Sequence, residues 1–109
     1  MTDRLVHEGR VAVLVSPNHG GGWSTWNQEH GDAMLFDPQI ADIMMSDESR
    51  TVKIEKARAI AELKYPDAYL GGIKDLEVWM LTPGTKFYID ERDGSETVIT
   101  PEDIKWTTA

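Results

Sequence analysis

The 109-residue sequence contains no cysteine. That absence excludes a disulfide framework and thiolate chemistry. No apolar run approaches the roughly 20 residues needed to cross a bilayer, so no membrane association is expected. The N-terminal "MTDRLVHEGR" lacks the apolar core of a signal peptide, which points to the cytoplasm. Basic side chains are scarce: 11 Lys and Arg stand against 19 Asp and Glu, a net charge of −8, and no Lys or Arg lies between Arg10 and Arg50. The phosphate backbone repels so acidic a chain, and direct nucleic-acid binding is not expected. Internal repeats and low-complexity segments are absent as well.

What is present is an ordinary globular composition, 40% hydrophobic and 28% charged, at a length that suits one domain over 1–109. With no covalent staple the chain relies on packing, and at this size homo-oligomer formation is an expected aid. The charge is unevenly placed. Residues 50–65 carry five basic against two acidic side chains, the one cationic island. Residues 1–49 carry two against eight, and residues 66–109 four against nine.

"RVAVLVS" (10–16) predicts a buried strand, and the short apolar "AMLFD" (33–37) a second one. Asp37-Pro38 places an N-cap before a proline at the first helical position, and Ile40, Ile43 and Met44 continue at helical spacing. "TVKIEKARAIAELKY" (51–65) predicts the longest helix, with Ile54, Ala57, Ile60 and Ala61 as its apolar stripe and Pro66 as its stop. The rest predicts an antiparallel meander: 76–82, a type II turn at Pro83-Gly84, 85–91, a hairpin at Asp93-Gly94, 95–100, and an edge strand in 103–107. The expected fold class is therefore α+β, one mostly antiparallel sheet with two helices packed on one face.

Between the first strand and the next element lies "SPNHGGGWSTWN" (16–27), three consecutive glycines followed by two tryptophans. Glycines accept positive φ and let backbone N–H groups approach a ligand. Tryptophan faces stack on bases or rings, worth about 1–3 kcal/mol per base. The candidate ligand-binding set is Ser16, Asn18, His19, Gly20, Gly21, Gly22, Trp23, Ser24, Thr25, Trp26 and Asn27, with Lys53 and Lys56 of the basic helix as electrostatic help. Stacking falls to Trp23 and Trp26, backbone contacts to Gly20–Gly22, and polar contacts to the hydroxyls and amides. A second reading stays open beside it, in which the tryptophans cap the core and the glycines make a turn.

Other chemistry finds less support. No P-loop or dinucleotide fingerprint is present, because "GGGWST" is neither G-x-x-x-x-G-K-[ST] nor G-x-G-x-x-G. Ser24 in "GWSTW" is not a nucleophile elbow, although His19 or His30, oriented by Asp32 or Asp37, offers a base for a small hydrolase. His7, His19 and His30 lack metal-ligand spacing, and neither a metal nor a cofactor is expected. The acids Asp90, Glu91, Asp93 and Glu96 around one hairpin tip suit solubility, or else mimicry of nucleic-acid charge toward a host protein.

"VAVLVSPNHGGGWSTWN" resembles the corresponding stretch of a family of small phage and prophage proteins, which carry a strand followed by a Ser-Pro, Gly-rich "GWSTWN" loop. The likeness extends into "YLGGIKDLEVWMLTPGTKFYIDERDGSE", while "PNHGGGW" departs from the aromatic and alanine expected around the glycines. The resemblance implies a context, short acidic accessory proteins that counter host defence in a bacterial cytoplasm, and no mechanism. Within it, sequestration of a small nucleotide-like ligand without turnover is the leading expectation, and inhibition of a host protein complex by an acidic surface is the rival.

Overall fold

The computed structural model describes residues 3–18 and 21–103. Its order is β1 (Val6–His7), β2 (Arg10–Val15), α1 (Gly31–Leu35), α2 (Pro38–Met45), α3 (Arg50–Lys64), β3 (Glu77–Leu81), β4 (Tyr88–Arg92) and β5 (Ser95–Ile99), with single 3-10 turns at Ser24–Trp26, Gln28–His30, Ile73–Asp75 and Pro101–Asp103. The class is α+β.

β2 is the central strand of a three-stranded antiparallel sheet of order β1-β2-β3. Glu8 and Gly9 both take positive φ at the turn that folds β1 onto β2, as a tight hairpin requires. The valine-rich run of β2 reflects burial on both faces. Ala12 and Leu14 point into a core with Met34, Ile40, Ala41, Ala57, Ala61, Ile73 and Leu76. Val13 and Val15 point the other way, onto Leu35, Phe36 and Val98.

The helices form where local chemistry places them. The Asp37 carboxylate accepts the Ile40 amide at 3.0 Å and caps α2, with Pro38 at its start. Ser49 caps α3, which ends at Lys64 before Tyr65 and Pro66. Lys64 Nζ (3.1 Å) and Tyr65 OH (2.6 Å) both donate to Asp37 Oδ2, fastening the end of α3 to the start of α2. Burial first, and then the hydrogen bond and charge of Asp37, push the Tyr65 hydroxyl well above its ordinary range. No helix among the described residues is long and apolar enough to cross a membrane.

Two expectations are corrected. Residues 33–37 are not a strand: Ala33, Met34 and Leu35 belong to α1, and Asp37 is taken as the cap of α2. Four apolar residues fit either period, and here Met34 serves one core while Leu35 and Phe36 serve the other. The single sheet also divides in two. The Pro83-Gly84 turn forms, with Gly84 at φ 84° and the Thr85 amide donating to the Thr82 carbonyl at 3.1 Å. The chain beyond it does not return along β3. Phe87 packs edge-on against Phe36 at 6.1 Å, and β4 and β5 make a separate ribbon whose Ile89 and Val98 help cover the second face of β2. The Asp93-Gly94 hairpin is as expected, with both residues at positive φ. Of the strand expected at 103–107, Asp103 closes a 3-10 turn and the remaining residues lie outside the described ones.

Candidate functional site

The loop after β2 is organised around a carboxylate from the far end of the chain. Glu96, the second residue of β5, is 1% exposed. Its Oε1 accepts the Ser16 amide at 2.9 Å, and its Oε2 accepts the Trp23 amide at 2.8 Å, the Thr25 amide at 3.1 Å and the Thr25 hydroxyl. The Glu96 amide in turn donates to the Ser16 carbonyl at 2.8 Å, and the Ser95 hydroxyl donates to the Pro17 carbonyl. Backbone N–H groups gathered by a glycine-rich loop make an anion cradle. Here the anion is the protein's own.

The glycines are explained by closeness rather than by left-handed backbone, since neither Gly21 nor Gly22 has positive φ. A Cβ on Gly72 would sit 2.7 Å from the carbonyl oxygens of Gly21 and Gly22, and one on Gly94 would sit 2.5 Å from the Gly21 nitrogen. A Cβ on Gly22 would collide with Thr25 Oγ1 and the Trp26 ring, both at 2.7 Å. Three chain segments, 21–22, 71–72 and 94, therefore meet backbone to backbone.

The tryptophans part company. Trp23 is fully buried and donates its indole N–H to the Met34 carbonyl at 2.8 Å, so it caps the main core. Trp26 is 42% exposed, and its ring centroid lies 5.1 Å from that of Tyr69, itself 44% exposed. Asn27 is buried and locks this pair: its Nδ2 donates to the Trp23 and Tyr69 carbonyls, and its Oδ1 accepts the Tyr69 amide at 2.7 Å. Ser24 is buried, and among the described residues no hydrogen bond joins it to a histidine. Ser16 is buried too, its hydroxyl without a partner among the described residues. Asn18 is exposed, and His19 and Gly20 lie outside the described residues.

Lys53 and Lys56 are not brought to the loop's open side. Lys53 Nζ donates to the Met44 carbonyl at 3.1 Å, Lys56 Nζ pairs with Glu48 at 2.6 Å, and neither lines the cleft described next. Both serve the junction of α2 and α3.

That cleft, of about 460 Å³, opens on the outer side of the loop and is lined by residues 25–30 with Asp67 and Ala68. Trp26 supplies its aromatic wall. Thr25 and Asn27 have spent their polar atoms on Glu96 and Tyr69, which leaves Gln28, Glu29, His30 and Asp67 facing a ligand. His30 Nε2 is 2.9 Å from Asp67 Oδ1, and its ring packs 5.3 Å from that of Tyr65. The His30 hydrogen bond, aided by one from the backbone, holds the Asp67 carboxyl below the usual carboxylate range. The partner of His30 is thus Asp67, neither Asp32 nor Asp37.

Sequence reasoning missed Glu96, Asp67 and Tyr69. Glu96 left a trace: period-two alternation puts it on the same face of β5 as the buried Val98. For the meeting of residue 30 with residue 67, local sequence carries no trace. At the acidic hairpin tip, Glu96 is withdrawn into the loop, Asp90 pairs with Arg92, and Glu91 accepts the Gly94 amide. Comparison with family models, with curated proteins and with solved structures finds no match for this chain.

Proposed function

We propose that this protein binds a small, ring-bearing, nucleoside-like ligand in the cleft beside Trp26, without turning it over. The observation that carries the reading is a half-exposed tryptophan whose neighbours Trp23, Thr25 and Asn27 are all tied by hydrogen bonds. Glu96 holds the loop from inside and Asn27 ties it to Tyr69, so the Trp26 ring is preorganised and little ordering entropy is lost on stacking. Around it the cleft is rich in acceptors, namely Gln28, Glu29 and Asp67, which suits the hydroxyl and amine donors of a nucleoside. The site is the outer face of the glycine–tryptophan loop, with Trp26 as the stacking residue and Trp23 as its structural anchor. A stoichiometric binder of this kind fits sequestration, one of the two counter-defence routes weighed for the phage context.

The experiment is a titration of the full chain with adenosine, guanosine, cytidine and uridine and their monophosphates, read by calorimetry for every variant and by the indole resonance of Trp26 in the unsubstituted chain. At least one is expected to shift that resonance saturably. Trp26→Ala is expected to weaken binding by about tenfold or more, given about 1–3 kcal/mol per stacked base, with thermal stability nearly unchanged. Equal binding by Trp26→Ala, or no saturable shift with any of the eight compounds, overturns the proposal.

A further inference from the structure

The cleft holds a second set of groups that stacking does not use. Glu29 and His30 come from the 3-10 turn Gln28–His30, and Asp67 from the connection after α3. One ligand atom from each lies within 4.8 Å of the other two. An imidazole nitrogen with two carboxylate oxygens is a donor set for a borderline divalent ion such as Zn²⁺ or Mn²⁺; Mg²⁺ and Ca²⁺ favour oxygen alone. At bond lengths of about 2.0–2.2 Å, neighbouring ligand atoms stand about 3.0 Å apart around an octahedral ion and about 3.4 Å apart around a tetrahedral one. The pair His30 Nε2 and Asp67 Oδ1, now hydrogen-bonded at 2.9 Å, needs little or no movement to span either. The His30 ring is oriented by its packing on Tyr65, and Glu29, exposed at the rim, closes the set by a change of rotamer.

We propose that Glu29, His30 and Asp67 bind one divalent transition-metal ion in the wall of the cleft, beside Trp26. Among the described residues no Lys or Arg lines this cleft, and the ion supplies positive charge there. Three protein ligands leave coordination positions open toward the cleft. An oxygen of the bound molecule, phosphate above all, takes one of them, and contacts to Glu29 and Asp67 then run through the ion. This last step rests on the ligand-binding reading; the metal site does not.

The test titrates the full chain with Zn²⁺ alone by calorimetry and with Mn²⁺ alone by amide NMR. One saturable equivalent is expected, with paramagnetic broadening centred on residues 25–30 and 67–68. Asp67→Asn and Glu29→Gln, exposed changes that leave the fold intact by thermal melting, are each expected to weaken Zn²⁺ binding about tenfold or more. Unsaturable binding, broadening spread over the acidic hairpin 90–96, or unchanged affinity in both variants overturns the site. Repeating the nucleoside monophosphate titration with and without Zn²⁺ separates the two claims. Metal binding without nucleotide binding overturns the ligand reading and leaves the ion site standing. Nucleotide binding with no metal binding does the reverse.

Discussion

Glu96 and Ser16 touch the same knot of backbone and are expected to respond oppositely to small changes. The Glu96 carboxylate, itself buried, accepts three backbone N–H groups and a hydroxyl. In Glu96→Gln one oxygen becomes an amide that points its own N–H at donors, and the opposing groups lose their acceptor. Hydrogen bonds to a charged group contribute about 1.5–3 kcal/mol, and each orphaned partner costs about 1–3 kcal/mol. A loss of about 3 kcal/mol or more in unfolding free energy is expected from urea denaturation. Ser16 Oγ is the converse, a buried hydroxyl without a partner among the described residues. Ser16→Ala is therefore expected to be neutral or slightly stabilising in the same assay. Sequence showed that the loop was unusual but not why, because the group that organises it lies 71 to 80 residues away.

Among the elements, what was legible was local and what was hidden was pairing. The Asp37-Pro38 cap, the helix expected over 51–65 and found at Arg50–Lys64, and the Asp93-Gly94 hairpin are each decided within a few residues, and each appears where its chemistry puts it. The split of the meander is decided by Phe87 meeting Phe36, 51 positions apart, and no turn rule at Pro83-Gly84 contains that contact. The basic island shows the same limit. Lys53 and Lys56 serve the C-terminus of α2 and Glu48, and Lys64 serves Asp37 at the start of α2. Charge reversal at Lys53 and Lys56 is therefore expected to leave nucleotide affinity unchanged at physiological salt, measured by the same titration that follows Trp26. Stability is expected to fall by only about 1 kcal/mol, the scale of an exposed ion pair.

Across the whole molecule, β2 is covered on one face by the core of the three helices and on the other by Leu35 and Phe36 together with a ribbon from late in the sequence. The glycine junction joins the same distant parts: residues 21–22, 71–72 and 94 approach so closely that no side chain fits between them. Its consequence is one of timing. The Ser16, Trp23 and Thr25 amides gain their carboxylate acceptor only when the β4–β5 ribbon docks, and contacts of such long sequence separation form late and slowly. The Ser16, Trp23 and Thr25 amides are thus expected to exchange with solvent deuterium at one common rate, shared with the amides of β5 and distinct from those of α3. Independent exchange of the loop and β5 would separate them. Whatever opens the ribbon, even briefly, takes away the acceptor of the Trp23 and Thr25 amides, so that loop and ribbon come apart as one hinge-like unit.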